Sequence, residues 1–134
     1  MLDTDICSYV IRQRPESVLV AMQDKAQTGH DLYISAITYA ELRLGAVRSG
    51  NPRKHNRLIS EFCERLDAIH PWGSAAADYF ARLQAALFAD GNPIGNNDTM
   101  IAGHALSLRA VMVTNNHKHF SRVPKLKMEN WVTG

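Results

Sequence analysis

Three carboxylates and a carboxamide, Asp3, Glu41, Asp98 and Asn116, stand where strands are expected to end or helices to begin. Glu41 follows Ile37 by four residues on a helix whose inward stripe reads Ile37, Ala40, Leu44 and Val47. A carboxylate on an apolar side is costly unless it is paired, protonated or bound to a cation. The plainer reading makes Glu41 the partner of Thr38 in a capping box, Thr38-Tyr-Ala-Glu41. Asp98 leads a helix side with Ile101, Ala102 and Ala105, although an acid at a helix start also simply suits the unpaired N–H groups and the macrodipole. Asn116 lies two residues beyond an apolar run ending at Thr114, where Asn is ordinarily turn chemistry. Together the four are more specific. Three ionised carboxylates facing one crevice need a compensating cation, and oxygen ligands suit a hard divalent ion such as Mg²⁺, which keeps several waters and accepts phosphate oxygens. That arrangement suits phosphodiester hydrolysis, with an activated water and a stabilised leaving oxygen.

The elements that must position these groups follow from the chain itself. Met1-Leu2 reads as a short buried first strand that delivers Asp3 to the carboxyl edge of a sheet, where ligands bind in open α/β folds. One or two helical turns reach Arg12, and Pro15 opens a second helix with Val18, Leu19, Met22 and Ala26 on one face and Gly29 as its stop. Asp31 to Ser35 is the second strand, and Ser35 and Thr38 are rival caps of a helix reaching about Arg48. After Gly50-Asn51-Pro52 a helix places Leu58, Ile59, Phe62, Cys63 and Leu66 on one face, and Ala68-Ile-His70 is a brief third strand. The clearest helical period is Ala76, Tyr79, Phe80, Leu83 and Leu87, ending at Asp90-Gly91. A polar loop, Asn92 to Asn97, leads into a helix from Asp98 to Leu108. Ala110 to Thr114 has the unbroken apolar pattern of a strand buried on both faces, and Lys127 to Trp131 reads as an edge strand. Strands alternating with helices imply a mainly parallel sheet covered on both sides. The expectation is one domain over 1–134, a three-layer α/β/α sandwich with a small central sheet.

At 134 residues, 46% hydrophobic and 21% charged, the chain can bury a core without staples and is not disordered in composition. A formal net charge of +2 permits a nucleic-acid partner but does not argue for one. Cys7 and Cys63, far apart and flanked by apolar residues, read as reduced core thiols. No stretch approaches the roughly 18 apolar residues of a membrane span. Asp3 and Asp5 occupy the place of a basic signal-peptide region, so a cytoplasmic location is expected.

Four ordered motifs carry a resemblance over essentially the whole chain: Leu2-Asp-Thr-Asp-Ile6, Ile34-Ser-Ala-Ile-Thr-Tyr-Ala-Glu-Leu-Arg-Leu-Gly45, Gly95-Asn-Asn-Asp-Thr-Met-Ile-Ala-Gly-His-Ala105 and Val113-Thr-Asn-Asn116. In this order they resemble a PIN domain, and among PIN domains the VapC-type toxins of bacterial type II toxin–antitoxin modules. The resemblance implies an endoribonuclease dependent on Mg²⁺ or Mn²⁺, with Asp3, Glu41 and Asp98 at the three acidic metal-binding positions. It further implies a tRNA substrate cut in the anticodon region, a homodimer, a VapB-type antitoxin, and operator DNA bound only through the antitoxin complex. Asn116 stands where many PIN domains have a fourth acid. An amide orients a water or phosphate but neutralises less cation charge. The first strand is also shorter than in many relatives.

Asp3-Thr-Asp5 separately resembles the opening of a haloacid-dehalogenase-type phosphatase, but Cys7 breaks that motif and no downstream acidic pair follows. Asp5 reads better as a cap-region residue. A second rival is a PIN domain with a decayed site that only binds, against which the three carboxylates speak. His117 and His119, flanking Lys118, are expected in extended chain and on opposite faces, as surface residues or RNA contacts. His104 reads as a hydrogen-bonded, semi-buried histidine. The run Arg48, Arg53, Lys54, His55 and Arg57 reads as a solvated face, and Arg43 and Arg12 as residues able to reach an RNA backbone.

Overall fold

Residues 1–133 are described here from a computed structural model. The amino-terminal residues are the axis of its sheet. Leu2 N–H donates to the Tyr33 carbonyl, Asp3 N–H to that of Val113, and Val113 N–H back to that of Met1, at 2.8–3.0 Å. This segment joins two parallel pairs, β1 (Tyr33–Ser35) with β2 (Ala68–His70), and β3 (Val111–Val113) with β4 (Lys127–Glu129). The expected first strand is thus a single parallel bridge, Leu2 to Val113. It stops there because the Asp3 side chain accepts from Ile6 N–H at 2.9 Å and caps α1 (Thr4–Arg12).

Adjacent residues of a strand point to opposite faces, so the sheet divides the apolar residues into two cores. Leu2 and Val113 pack with Ile6, Val10, Met22, Leu42 and Phe62, under α1, α2 (Glu16–Gln27), α3 (Ala36–Val47) and α4 (Pro52–Glu64). Met1 and Met112 pack with Leu83, Leu87, Ile101 and Ala105, under α5 (Ser74–Ala89) and α6 (Asn96–Leu108). These are the three layers anticipated, with the tail strand at Lys127–Glu129 as expected. Gly134, the last residue of the single domain read from the sequence, lies outside the described residues. Among those described, no helix is long and apolar enough to cross a membrane.

Helices α5 and α6 meet at Gly103, where an added Cβ would come within 2.8 Å of the Phe80 nitrogen and 3.0 Å of its Cα. Backbone cannot give way as a side-chain tip can. Gly103→Ala is therefore expected to destabilise the fold by about 1–3 kcal/mol, measured by urea denaturation.

Three expectations fail in this frame. The buried stripe of α3 is Thr38, Leu42 and Ala46, whereas Leu44 and Val47 are 56% and 65% exposed. Apolar residues recur on both sides of this helix, so periodicity alone chose the wrong face. Ser35 is the cap, accepting from Ile37 N–H at 3.1 Å, and Thr38 lies buried inside the helix, so no capping box holds Glu41. Arg43 does not reach outward: its guanidinium donates to the Tyr39 hydroxyl, the Asn56 carbonyl and side chain, and Ser60 Oγ, and so ties α3 to α4. The basic residues of α4, by contrast, are exposed as expected, and Cys7 is a free, buried thiol.

Candidate active site

The carboxyl edge of the sheet receives Asp3 from the axial segment and Thr114 from the end of β3. Asp3 is 4% exposed. Besides capping α1 it lies near Thr114, whose hydroxyl favours the charged form. Burial, with the charges of Asp5 and Asp98 added, outweighs this and the Ile6 N–H bond and raises its pKa from 3.8 to about 6. Glu41, on the flank of α3 facing α1, accepts from Thr4 Oγ1 at 2.7 Å and from Asn97 Nδ2 at 3.2 Å. That contact explains why an acid tolerates this half-buried place without a capping role.

Asp98 sits in the first turn of α6, whose start is pinned from within. Buried Gln84 donates to Asn96 Oδ1 at 2.9 Å, and buried Thr99 donates to the Gly95 carbonyl at 2.6 Å. Gly95 adopts φ of +92°, which favours glycine, and turns the loop into the helix. On its far side Asp98 Oδ2 meets Asn116 Nδ2 at 3.4 Å and His119 Nδ1 at 2.8 Å. Asn116 is held in turn by its N–H, which donates to Thr114 Oγ1 at 2.8 Å, and it caps a one-turn helix, α7 (His117–Phe120).

The structure therefore brings Asn116 into side-chain contact with Asp98 and ties Glu41 to Asn97, the neighbour of Asp98, while Asp3 lies apart at the sheet edge. It also corrects the reading of the histidines. His117 and His119 lie on a helical turn, not in extended chain, and His119 faces Asp98. A four-residue helix has no periodicity to reveal it, and that is why His119 was missed. Thr4 and Asn97 were missed beside their acids, although each immediately adjoins one in the sequence. His104 is hydrogen-bonded as expected, with Nδ1 2.8 Å from Ser35 Oγ, but at 2% exposed it is fully rather than half buried. Asp5 is exposed in the first turn of α1 while Asp3 is buried, so the acid pair of the phosphatase reading is not formed.

Carboxylate and amide oxygens are hard donors, and a buried acid whose charge is opposed by neighbouring acids is stabilised by a cation. In chemistry the donor set fits a divalent metal. As placed, however, no three His, Cys, Asp or Glu side chains among the described residues converge tightly enough to hold one ion. Asp3 is engaged by Ile6 N–H, Glu41 by Thr4 and Asn97, and Asp98 through Oδ2 by Asn116 and His119 instead.

Beside Glu41 opens a cleft of about 270 Å³ between α1, α3 and α4. Ile11, Leu42, Ala46 and Ile59 form apolar walls, and Arg12 and His55 stand among the polar residues that line it.

Comparison with known proteins places the fold and the family. The family model described as PIN domain matches residues 1–126. The chain is 37% identical to Ribonuclease VapC2 of Rickettsia felis over 98% of its length and 96% of the relative. It is likewise 37% identical to the tRNA(fMet)-specific endonuclease VapC of Shigella flexneri, with the same coverage. Among solved structures, VapBC2 of Rickettsia felis bound to a promoter DNA fragment superposes with a TM-score of 0.92 at 37% identity, covering 98% of this chain and 97% of that one.

Proposed function

Because the chain belongs to the PIN-domain family, among the VapC ribonuclease toxins of VapBC modules, we propose that it is a divalent-metal-dependent endoribonuclease whose site is Asp3, Glu41, Asp98 and Asn116. The observation that carries this reading is the gathering at the carboxyl edge of the sheet of buried Asp3, of Asp98 held by Asn116 and His119, and of Glu41 held by Thr4 and Asn97. Asp3, Glu41 and Asp98 would hold Mg²⁺, or Mn²⁺ in its place, once drawn together by the ion. When bound, such an ion neutralises charge at the scissile phosphate and activates water for attack. The chain's own groups fix the acids beforehand. Ile6 N–H sets Asp3, Thr4 and Asn97 set Glu41, and Asn116 borders Asp98 with an amide able to donate to a phosphate oxygen. Arg12, exposed at the cleft, offers a phosphate contact, whereas Arg43 is already committed.

The substrate is tRNA, cut in the anticodon region. The tRNA substrate rests on the Shigella flexneri relative, whose name specifies tRNA(fMet), and the anticodon region on the resemblance carried by the sequence motifs. A VapB-type antitoxin neutralises the enzyme, and operator DNA is bound through that complex, in keeping with the DNA-bound relative. The cleft beside Glu41 suits an amphipathic antitoxin segment carrying an arginine, whose guanidinium pairs with carboxylates in place of metal while apolar side chains cover the walls. Exposed Leu44, Val47 and Phe88 leave apolar surface for a homodimer. The protein forms one domain over its whole length and works in the cytoplasm. The test is incubation of purified protein with total RNA and Mg²⁺, Mn²⁺ or EDTA, followed by mapping of cleaved ends. Cuts confined to one anticodon loop are expected. Uniform degradation, or cleavage unaffected by EDTA, refutes the reading.

A further inference from the structure

Helix α7 spends its single turn on one oxygen. Asn116 caps it, accepting from His119 N–H at 3.4 Å, and both side chains then reach Asp98 Oδ2. The two bonds are unequal. At 2.8 Å the His119 contact has the length of a charge-assisted hydrogen bond, whereas the 3.4 Å amide contact is long and weak. A carboxylate only accepts, so Nδ1 carries the proton in this contact. Among the described residues no hydrogen bond reaches Asp98 Oδ1. The Asp98 side chain is 29% exposed and that of His119 35%, so neither is locked by packing and the bond itself sets the carboxylate's orientation.

We propose that His119 is the positioning residue of Asp98: its Nδ1–H holds Oδ2 and leaves Oδ1 available to a divalent cation. The proposal rests on Asp98 being a cation ligand, as argued above. Groups that hold metal-binding carboxylates from outside typically change metal affinity or activity by about 10–100-fold when removed.

The experiment reads Mn²⁺ binding to the purified protein, by electron paramagnetic resonance of free Mn²⁺, without RNA. His119→Ala is expected to weaken binding at least tenfold. His119→Asn, whose amide nitrogen can take the place of Nδ1, is expected to stay within about threefold of wild type, and His119→Gln, whose amide mimics Nε2, to behave like alanine. In cleavage assays the alanine variant should regain most of its rate at saturating Mn²⁺. Wild-type affinity in His119→Ala, or equal damage in the asparagine and alanine variants with unchanged melting temperatures, overturns the proposal. Asp98→Asn separates the two ideas. If it abolishes Mn²⁺ binding while His119→Ala does nothing, only the positioning role falls. If neither variant affects binding, the assignment of Asp98 falls as well.

Discussion

Replacing Asp3 with asparagine is expected to reduce RNA cleavage by about three orders of magnitude, and Glu41→Gln and Asp98→Asn should do the same, the scale on which a preorganised electrostatic group is lost. The Asp3 variant makes the sharper test because its effect on stability has the opposite sign. Asparagine still caps a helix, so Ile6 keeps its acceptor. What disappears is a charge that burial, Asp5 and Asp98 all oppose. The folded pKa of about 6 lies above the ordinary 3.8, so the folded state binds this proton more tightly than the unfolded chain does. Through this group, the metal-free protein is favoured below pH 3.8 and loses stability as pH rises from about 4 to 6. The difference amounts to about 3 kcal/mol at neutral pH. Asp3→Asn should therefore melt higher than wild type at pH 7.5 without metal, and the gap should close by pH 4. A variant that is inactive and also less stable at pH 7.5 would make Asp3 a structural residue. Asn116→Ala, which removes an amide but no charge, should slow cleavage and leave measurable turnover.

Stripping the metal is expected to bring cleavage to the level of the Asp98→Asn variant without unfolding the chain. The two cores on either side of the sheet contain none of the four site residues, so the fold does not depend on the ion. Adding Mn²⁺ should restore activity and raise the melting temperature, since a ligand at a hundred times its Kd stabilises by about 2.7 kcal/mol. The stabilisation should be larger at pH 7.5 than at pH 5, because protonated Asp3 cannot serve the cation. Differential scanning fluorimetry with and without EDTA measures this directly. A melting temperature indifferent to Mn²⁺ in wild type, alongside full activity in EDTA, would dismiss the metal altogether.

The sequence by itself determined most of the order of elements, α7 apart, the parallel pairing and the family to which the chain belongs. Each rested on a local signal: apolar runs for β1 and β3, the 3.6-residue period of α5, and motifs whose order along the chain is specific to one family. It could not determine which way a two-sided helix turns. Apolar side chains on α3 occur at Ile37, Leu44 and Val47 as well as at Leu42 and Ala46, and only packing against Ile59 and Phe62 decided that the second set is buried. Nor could it show what holds each acid in place. Thr4 to Glu41, Gln84 to Asn96, Asn97 to Glu41 and His119 to Asp98 are contacts between groups brought together by the crossing of strands and helices. A hydrogen bond depends on fractions of an ångström and has no period along the chain, so the residues that could do chemistry were legible in the sequence and their partners were left to the tertiary structure.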